Sequence, residues 1–430
     1  DFSQDDGGPV GVDAIGAAGG EKRIDRVGHF SSRADVTERD LRMMQFTVRQ
    51  QDRQTKGRLG QLRTARAVID TPTFMPVGSL GPVKGLEPED LHDLGFRLML
   101  NNAYHLYLRP GHKVVAELGG LHAFTGWPGA ILTDSGGFQI FSLAKLCKIT
   151  DEGVTFQSHI DGSTHFITPE TAIEIEEALG ADIIMAFDQC VALPASRAAI
   201  LEGLRRTTSW AKRCQASRRR NDQALFGIVQ GGLEADLRRQ SAQELVALDF
   251  EGYAIGGLSV GESKADMYAM LDVTAPELPE AKPRYLMGVG LPEDLIEGVA
   301  RGVDLFDCVV PSRHGRTGWL FTGFGRVSIK QAQYKQDERP IDPDCGCPVC
   351  KRYSRAYLHH LFNVKEMLGA RLNTIHNLWY FADLMQRVRS SIERGTFLTM
   401  REEFYRARAE AERVGGATAV AAQEPRAGLD

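Results

Sequence analysis

The sequence predicts an α/β protein, a (β/α)8 TIM barrel followed by a smaller cysteine-bearing subdomain. Three observations predict it. Eight short apolar runs recur along the chain, at 73–77, 97–100, 130–133, 182–187, 225–229, 252–255, 285–287 and 305–310. Amphipathic segments with helix punctuation separate most of them, over roughly the 250 residues such a barrel needs. Polar or glycine residues stand at or just past the end of each of seven runs: Asn101-Asn102, Asp134, Asp188, Gln230, Gly256-Gly257, Gly288 and Asp307. That is the face on which barrel enzymes build their sites.

Composition sets the frame. The chain has 430 residues, 43% hydrophobic and 25% charged, with a formal net charge of -5. Residues 1–40 carry nine acids and five bases, so the rest is near neutral with 46 bases and 47 acids. A local basic face on a neutral body still binds RNA, because the electrostatic term depends on nearby phosphates. Seven cysteines without regular spacing argue against a secreted disulfide framework. No apolar run is long enough to span a bilayer, and no signal peptide is apparent. A cytoplasmic protein with no membrane association is expected.

Taken in order, residues 1–42 are rich in Gly, Asp and Ala and have too little apolar surface to offset ordering, so a disordered N-terminal extension is expected. Met43-Met44 precede the first patterned segment, and the barrel is expected over 43–340. Thr168-Pro169 opens a helix with Pro at its first position, and Gly180 closes it. Pro292-Glu-Asp294 opens another, ending near Gly302. Between them, 154–167 reads as a β-hairpin turned by Asp161-Gly162, either over the barrel mouth or plain surface. The last run holds a carboxylate, Asp307, and Pro311 is expected to stop its strand. Beyond it Ser312-Arg-His-Gly-Arg316 reads as a short cationic loop, suited to a phosphate-bearing substrate. Alone, this stretch reads equally as a strand-capping Asp with two surface arginines.

Asp134 lies in Leu132-Thr-Asp-Ser-Gly-Gly-Phe-Gln139, where Gly136 and Gly137 let backbone approach a flat ligand and Phe138 can stack on a heterocycle. With Asp307 it offers two carboxylates at one mouth, the equipment of glycosidic bond chemistry. Asp188, Gln230 and the backbone of Gly256-Gly257-Leu258-Ser259 offer donors and acceptors for a purine edge, or else fix loops.

Cys345-x-Cys347-x-x-Cys350 is the strongest local signal. Three thiols within six residues suit one tetrahedral ion better than disulfides. His376, on a helical stretch, completes a Cys3His structural zinc site; His359 and His360 are rivals, and iron–sulfur ligation is the alternative. A zinc-binding helical subdomain is expected over 341–413 and a flexible tail over 414–430. Arginine-rich helices over 383–413 read as charge-laced surface.

From about Phe46 to about Arg413 the chain closely resembles the bacterial-type tRNA-guanine transglycosylases. The matching motifs are Tyr104-His-Leu, Leu132-Thr-Asp-Ser-Gly-Gly-Phe-Gln139, Met185-Ala-Phe-Asp188, Gly227-Ile-Val-Gln-Gly231, Gly256-Gly-Leu-Ser-Val-Gly-Glu262, Tyr285-Leu-Met-Gly-Val-Gly290, Phe306-Asp-Cys-Val309 and the cysteine group. The resemblance implies exchange of the guanine at the tRNA anticodon wobble position for 7-aminomethyl-7-deazaguanine, a queuosine precursor. It implies Asp307 as nucleophile, Asp134 as general acid and base, and Ser135, Gly136, Gly137, Phe138, Asp188, Gln230, Gly257, Leu258 and Met287 around the purine. It further implies tRNA contact by Gly288, Ser312, Arg313, His314, Gly315 and Arg316. One structural zinc per subunit on Cys345, Cys347, Cys350 and His376 is implied, with a homodimer whose interface includes Lys84, Tyr357 and His360. That placement of His360 favours His376 as ligand. Cys190 and Val260 match the bulk that would crowd the larger base queuine. Phe138 replaces the commoner Tyr, and Ser259 stands where many bacterial members have Ala.

Overall fold

The structure is a computed structural model that describes residues 44–143 and 147–414. The expected N-terminal extension 1–42 lies outside the described residues, as does the expected tail 414–430 except Val414, which closes a helix.

The chain opens with an antiparallel sheet of β1 (Gln45–Gln51), β2 (Arg58–Arg63) and β3 (Val68–Thr71). This sheet has no counterpart among the apolar runs, because each strand buries single residues at period two rather than a run. The barrel strands follow: β4 (Thr73–Met75), β5 (Val77–Gly78), β6 (Leu98–Asn102) and β7 (Ala130–Asp134). An antiparallel insertion comes next, of β8 (Cys147–Ile149), β9 (Val154–Gln157) and β10 (Thr164–Ile167). It contains the expected hairpin, with Gly162 at φ 76° in its turn. The barrel resumes with β11 (Ile183–Met185), β12 (Ala224–Val229), β13 (Gly252–Ile255), β14 (Arg284–Leu286) and β15 (Leu305–Asp307). All eight expected runs are strands of one parallel sheet, ordered β4-β15-β14-β13-β12-β11-β7-β6-β5.

β4 and β5 are two halves of the first strand, interrupted at Pro76. β4 pairs with β15 and β5 with β6, so the first strand closes the barrel. Proline has no N–H to give to a ladder, but its carbonyl accepts from Leu100 N at 3.0 Å.

Side-chain alternation sorts every strand between lumen and helix layer. Met75, Val77, Leu98, Leu100, Ala130, Leu132, Ile183, Met185, Phe226, Ile228, Ala254 and Leu305 pack together in the lumen. Phe74, Met99, Ile131, Ile184, Leu225, Ile255, Leu286 and Phe306 face outward into the larger core under the helices. Leu62 and Ile69 rise from the opening sheet into the lumen cluster and close its amino end.

Arg58 locks that floor. Its Nη2 and Nε meet the two oxygens of Asp304 at 2.6 and 2.9 Å, and its remaining donors meet the Glu280 and Lys282 carbonyls. The two side chains are 2% and 0% exposed. Burial pushes the Asp304 carboxyl up, and Arg58 opposes that shift. Removing one member of such a pair strands a charge in the core. Arg58→Met is expected to cost ~3–5 kcal/mol, read as a lower urea midpoint at neutral pH. Arg58→Met with Asp304→Asn should recover most of the loss.

Past the barrel, β16 (Trp319–Thr322) and β17 (Gly325–Ser328) form a hairpin. Leu320, Val327, Ile329, Tyr334, Ile341, Cys347, Val349, Leu358, Leu361 and Leu372 make a separate small core. The helix Met367–Glu393 spans roughly 40 Å at 1.5 Å per residue. Its first turns face that small core through Leu372, and Phe381, Leu384, Met385, Val388 and Ile392 pack on the barrel. The chain breaks at Gly395, φ 70°, before the helix Phe397–Val414. The arginines read as surface charge are partly fixed there: Arg401 and Arg408 reach Glu297 and Glu293 on the helix Pro292–Ala300, at 2.8 and 2.9 Å. Among the described residues no helix is long and apolar enough to cross a membrane.

Candidate active site and metal centre

Strand parity builds the mouth. On β7, Ala130 and Leu132 face the lumen, so Asp134 does too, one turn of the pleat higher. On β15, Leu305 faces the lumen and Asp307 follows it. Asn102, the last residue of β6, pairs with Asp134 across the strands. Asp304 and Asp307 therefore serve opposite ends of one strand, floor and mouth.

Asp134 is buried and held on both oxygens. Asn102 Nδ2 makes a short bond to Oδ2, Gln139 Nε2 donates to Oδ2 at 2.8 Å, and Ala103 N donates to Oδ1 at 3.0 Å. Burial pushes its pKa up to about 7, against these bonds, and the charge of Asp307 raises it further. Both carboxylates thus stand at the same end of the barrel, on β7 and β15. Asp307 accepts from Tyr285 Oη at 2.6 Å and from Gly288 N at 2.7 Å, both on Oδ1. Among the described residues, both of these bonds leave Oδ2 without a hydrogen-bond donor. Burial raises the Asp307 pKa as well, and the two donors pull it back by favouring the ionised form.

The residues expected to read the purine gather beside this pair. β11 ends at Met185, short of the expected run, because Phe187 turns outward to stack on Trp210 at 4.9 Å. Asp188 emerges after that turn. Its Oδ2 accepts from Gln230 Nε2 at 2.7 Å and its Oδ1 from Ser135 Oγ at 3.2 Å. Burial pushes its pKa up to about 6. A Cβ on Gly137 would lie 2.7 Å from Asp188 O, and one on Gly257 would lie 2.4 Å from Gln230 Oε1, so both positions require glycine. Gly136 backs on Tyr104. Leu258 is buried, and Phe138 and Met287 are half-buried, Met287 against the lumen cluster.

The cationic segment differs from expectation. Val310–Arg316 is a seven-residue helix, not a strand end and loop, and Pro311 sits in its first turn. Proline is tolerated there because the first N–H groups of a helix have no intrahelical partner anyway. One face of this helix is committed to packing. A Cβ on Gly315 would lie 2.7 Å from Thr374 N, and His314 stacks on Phe321 at 5.5 Å. Burial, then Arg326 and Arg313, push the His314 pKa down to about 4. Ser312 Oγ donates to Val309 O, while Gly288 is exposed at the rim. Arg313 and Arg316 are half-buried on the same helix.

Reading the sequence assigned no role to Asn102, Gln139, Tyr285 or Arg238, which hold the site from behind. Tyr285 carried a signal. It faces the lumen two residues before Met287, and a buried tyrosine hydroxyl needs a partner.

Cys345, Cys347, Cys350 and His376 converge, their ligand atoms all within 4.8 Å of one another. His376 Nδ1 lies 3.8, 3.4 and 3.4 Å from the three sulfurs. Its Nε2 meets Phe321 O at 2.8 Å, which fixes the ring with Nδ1 toward the thiols. His359 is excluded as a rival because its nitrogens meet Ile329 O and Asn363 Nδ2. His360 is exposed and outside the group. Three sulfurs and one nitrogen in a closed group suit a tetrahedral metal ion with no open position.

A (β/α)8 barrel with two coupled carboxylates at its mouth defines an enzyme of the glycosyl-transfer class. The family model described as "Queuine tRNA-ribosyltransferase" matches residues 52–410. The chain is 55% identical over 361 residues to the queuine tRNA-ribosyltransferase of Pelotomaculum thermopropionicum, covering 84% of this chain and 98% of that one. It is 56% identical over 362 residues to that of Symbiobacterium thermophilum, covering 84% and 90%. The chain belongs to the queuine tRNA-ribosyltransferase family, a family of pentosyltransferases.

Proposed function

We propose that this protein exchanges the guanine at the wobble position of a tRNA anticodon for 7-aminomethyl-7-deazaguanine, by double displacement through a covalent tRNA–Asp307 intermediate. The pair Asp134 and Asp307 carries the reading. Asp307 Oδ2 attacks C1′ of the flipped-out nucleotide. The C1′–N9 bond breaks with its electron pair going to guanine, and protonated Asp134 supplies the proton. The incoming base then gives its proton to Asp134, its N9 bonds to C1′, and Asp307 leaves. Ser135, Gly136, Gly137, Asp188, Gln230, Gly257 and Leu258 bind the purine edge, and Phe138 and Met287 cover its faces. Gly288 and the Val310–Arg316 helix engage the anticodon loop. Arg313 and Arg316 meet phosphates there, while Ser312, His314 and Gly315 shape that helix. Cys345, Cys347, Cys350 and His376 hold one structural zinc. Two copies pair through the zinc-bearing region, a reading supported by the exposure of Lys84, Tyr357 and His360. The protein works in the cytoplasm, which suits seven cysteines that form no disulfide.

Labelled guanine is expected to enter tRNA bearing a wobble guanine. The pH dependence tests the acid. Asp134 must carry a proton to release guanine, and its pKa is about 7. Single-turnover adduct formation should therefore fall as pH rises through 7, about tenfold per unit on the far side. Ionisation of Asp307 sets the acid limb. In competition, 7-aminomethyl-7-deazaguanine should displace guanine and queuine should not, because buried Cys190, with Val260, crowds the larger base. No guanine incorporation at any pH would overturn the reading.

A further inference from the structure

The helix Ala235–Val246 carries a fully buried arginine, Arg238, 0% exposed, that the reaction above does not use. Buried arginines are rare and usually face a carboxylate. This one does not. Its Nε donates to Gly232 O at 2.9 Å, its Nη1 to Gly256 O at 2.8 Å and its Nη2 to Gly257 O at 3.1 Å. One guanidinium thus ties together the loops after β12 and β13. The first carries Gln230, and the second carries Gly256-Gly257-Leu258. Gly231, at φ 139°, leaves room for the approach, since a Cβ there would lie 2.8 Å from Arg238 N.

Peptide geometry turns these contacts into an orientation. In a planar trans peptide, C=O and N–H point opposite ways. With the Gly256 and Gly257 carbonyls drawn to the guanidinium, the N–H groups of the same two peptides, those of Gly257 and Leu258, point away from it. Gly257 lies against Gln230, which binds Asp188, so these two amides border the residues expected to read the purine. Among the described residues neither N–H meets an acceptor. The next two amides, of Ser259 and Val260, are both taken by Glu262. Two adjacent unmet donors, backed by a fixed positive charge, suit a ligand atom with strong acceptor character.

We propose that Arg238 is a positioning residue for base selection: it aims the Gly257 and Leu258 amides at the carbonyl oxygen of a 6-oxopurine. The inference rests on the function proposed above and deepens it. The aligned peptide dipoles also stabilise negative charge that reaches this oxygen as the base departs. An arginine with three ordered bonds does this better than lysine, a single point donor.

The test compares the full-length, metal-loaded chain with Arg238→Lys and Arg238→Met. Guanine is set against 2-aminopurine, which lacks the 6-oxygen, in direct binding by calorimetry and in exchange. The wild type should favour guanine. In Arg238→Met the preference should fall ~10-fold or more, the equivalent of one good hydrogen bond, mainly through KM. Arg238→Lys should restore part of it. Lysine keeps the charge and most of the bulk, so it carries the test should the methionine variant fold poorly. An unchanged guanine preference in a folded variant overturns the inference. Selective guanine binding by the wild type without exchange into tRNA would instead overturn the transglycosylase reading and leave Arg238 its role.

Discussion

Replacing Asp307 by Ala is expected to abolish base exchange, with kcat falling on the order of 10⁶-fold, and to leave no covalent adduct with tRNA. Labelled tRNA on a denaturing gel reads the adduct directly. Asp307→Asn separates chemistry from folding. Its amide oxygen still accepts from Tyr285 Oη and Gly288 N, the two donors that hold Oδ1. The fold should tolerate the change, and the sign follows from linkage. Burial raises the Asp307 pKa, so the ionised carboxylate disfavours the fold once pH exceeds its unfolded value. A neutral amide removes that penalty, and the unfolding midpoint of Asp307→Asn at pH 8 should equal or exceed that of the wild type. Activity lost while stability is kept is the signature of a nucleophile. An adduct that persists in either variant would transfer the role elsewhere, with Asp134 first in line.

The barrel and its mouth were legible in the sequence for one reason: parallel strands buried on both faces read as apolar runs. Several runs also end in a polar residue that the lumen cannot absorb, so Asp134 and Asp307 stand out. What supports them was less visible. Asn102 and Gln139 look like ordinary polar residues until β6 and β7 are paired in register. Arg238 lies in a polar amphipathic segment where arginine reads as surface, and only the fold shows it facing three carbonyls. The sheet β1–β3 is hard to read because Leu62 stands alone between polar residues and Ala67-Val68-Ile69 is shorter than most barrel runs. Pro311 reads as a strand stop but lies in the first turn of a helix, since the same ring geometry serves both. Spacing alone leaves three histidines for the fourth ligand; the resemblance favours His376, and in the fold hydrogen bonds engage His359 while exposure sets His360 apart.

Cys347→Ser is expected to lose the bound zinc and to weaken tRNA binding more than guanine binding. The first part follows from ligand chemistry. The cysteine group and His376 form a closed set around Cys347, which is 0% exposed. Zinc binding at such sites is worth roughly 10–16 kcal/mol near neutral pH and is available only to the folded site. Metal content after dialysis and the thermal midpoint should both drop, and a chelator should reproduce the drop in the wild type. The second part follows from what His376 is attached to. Its neighbour Asn377 accepts from Phe321 N at 3.0 Å and donates to Pro311 O and Trp319 O at 2.9 Å each. Pro311 lies in the helix carrying Arg313 and Arg316, and Gly315 of that helix packs on Thr374. A metal bound there would fix the helix Met367–Glu393, which in turn fixes the cationic helix that begins three residues past Asp307. The proposed purine pocket stands on the ends of β7, β11, β12, β13 and β14 and shares none of these contacts. KM for tRNA should rise severalfold in Cys347→Ser while guanine affinity, measured without tRNA, stays close to that of the wild type. Equal losses for both substrates would mean that the metal holds the whole barrel rather than the edge that faces RNA.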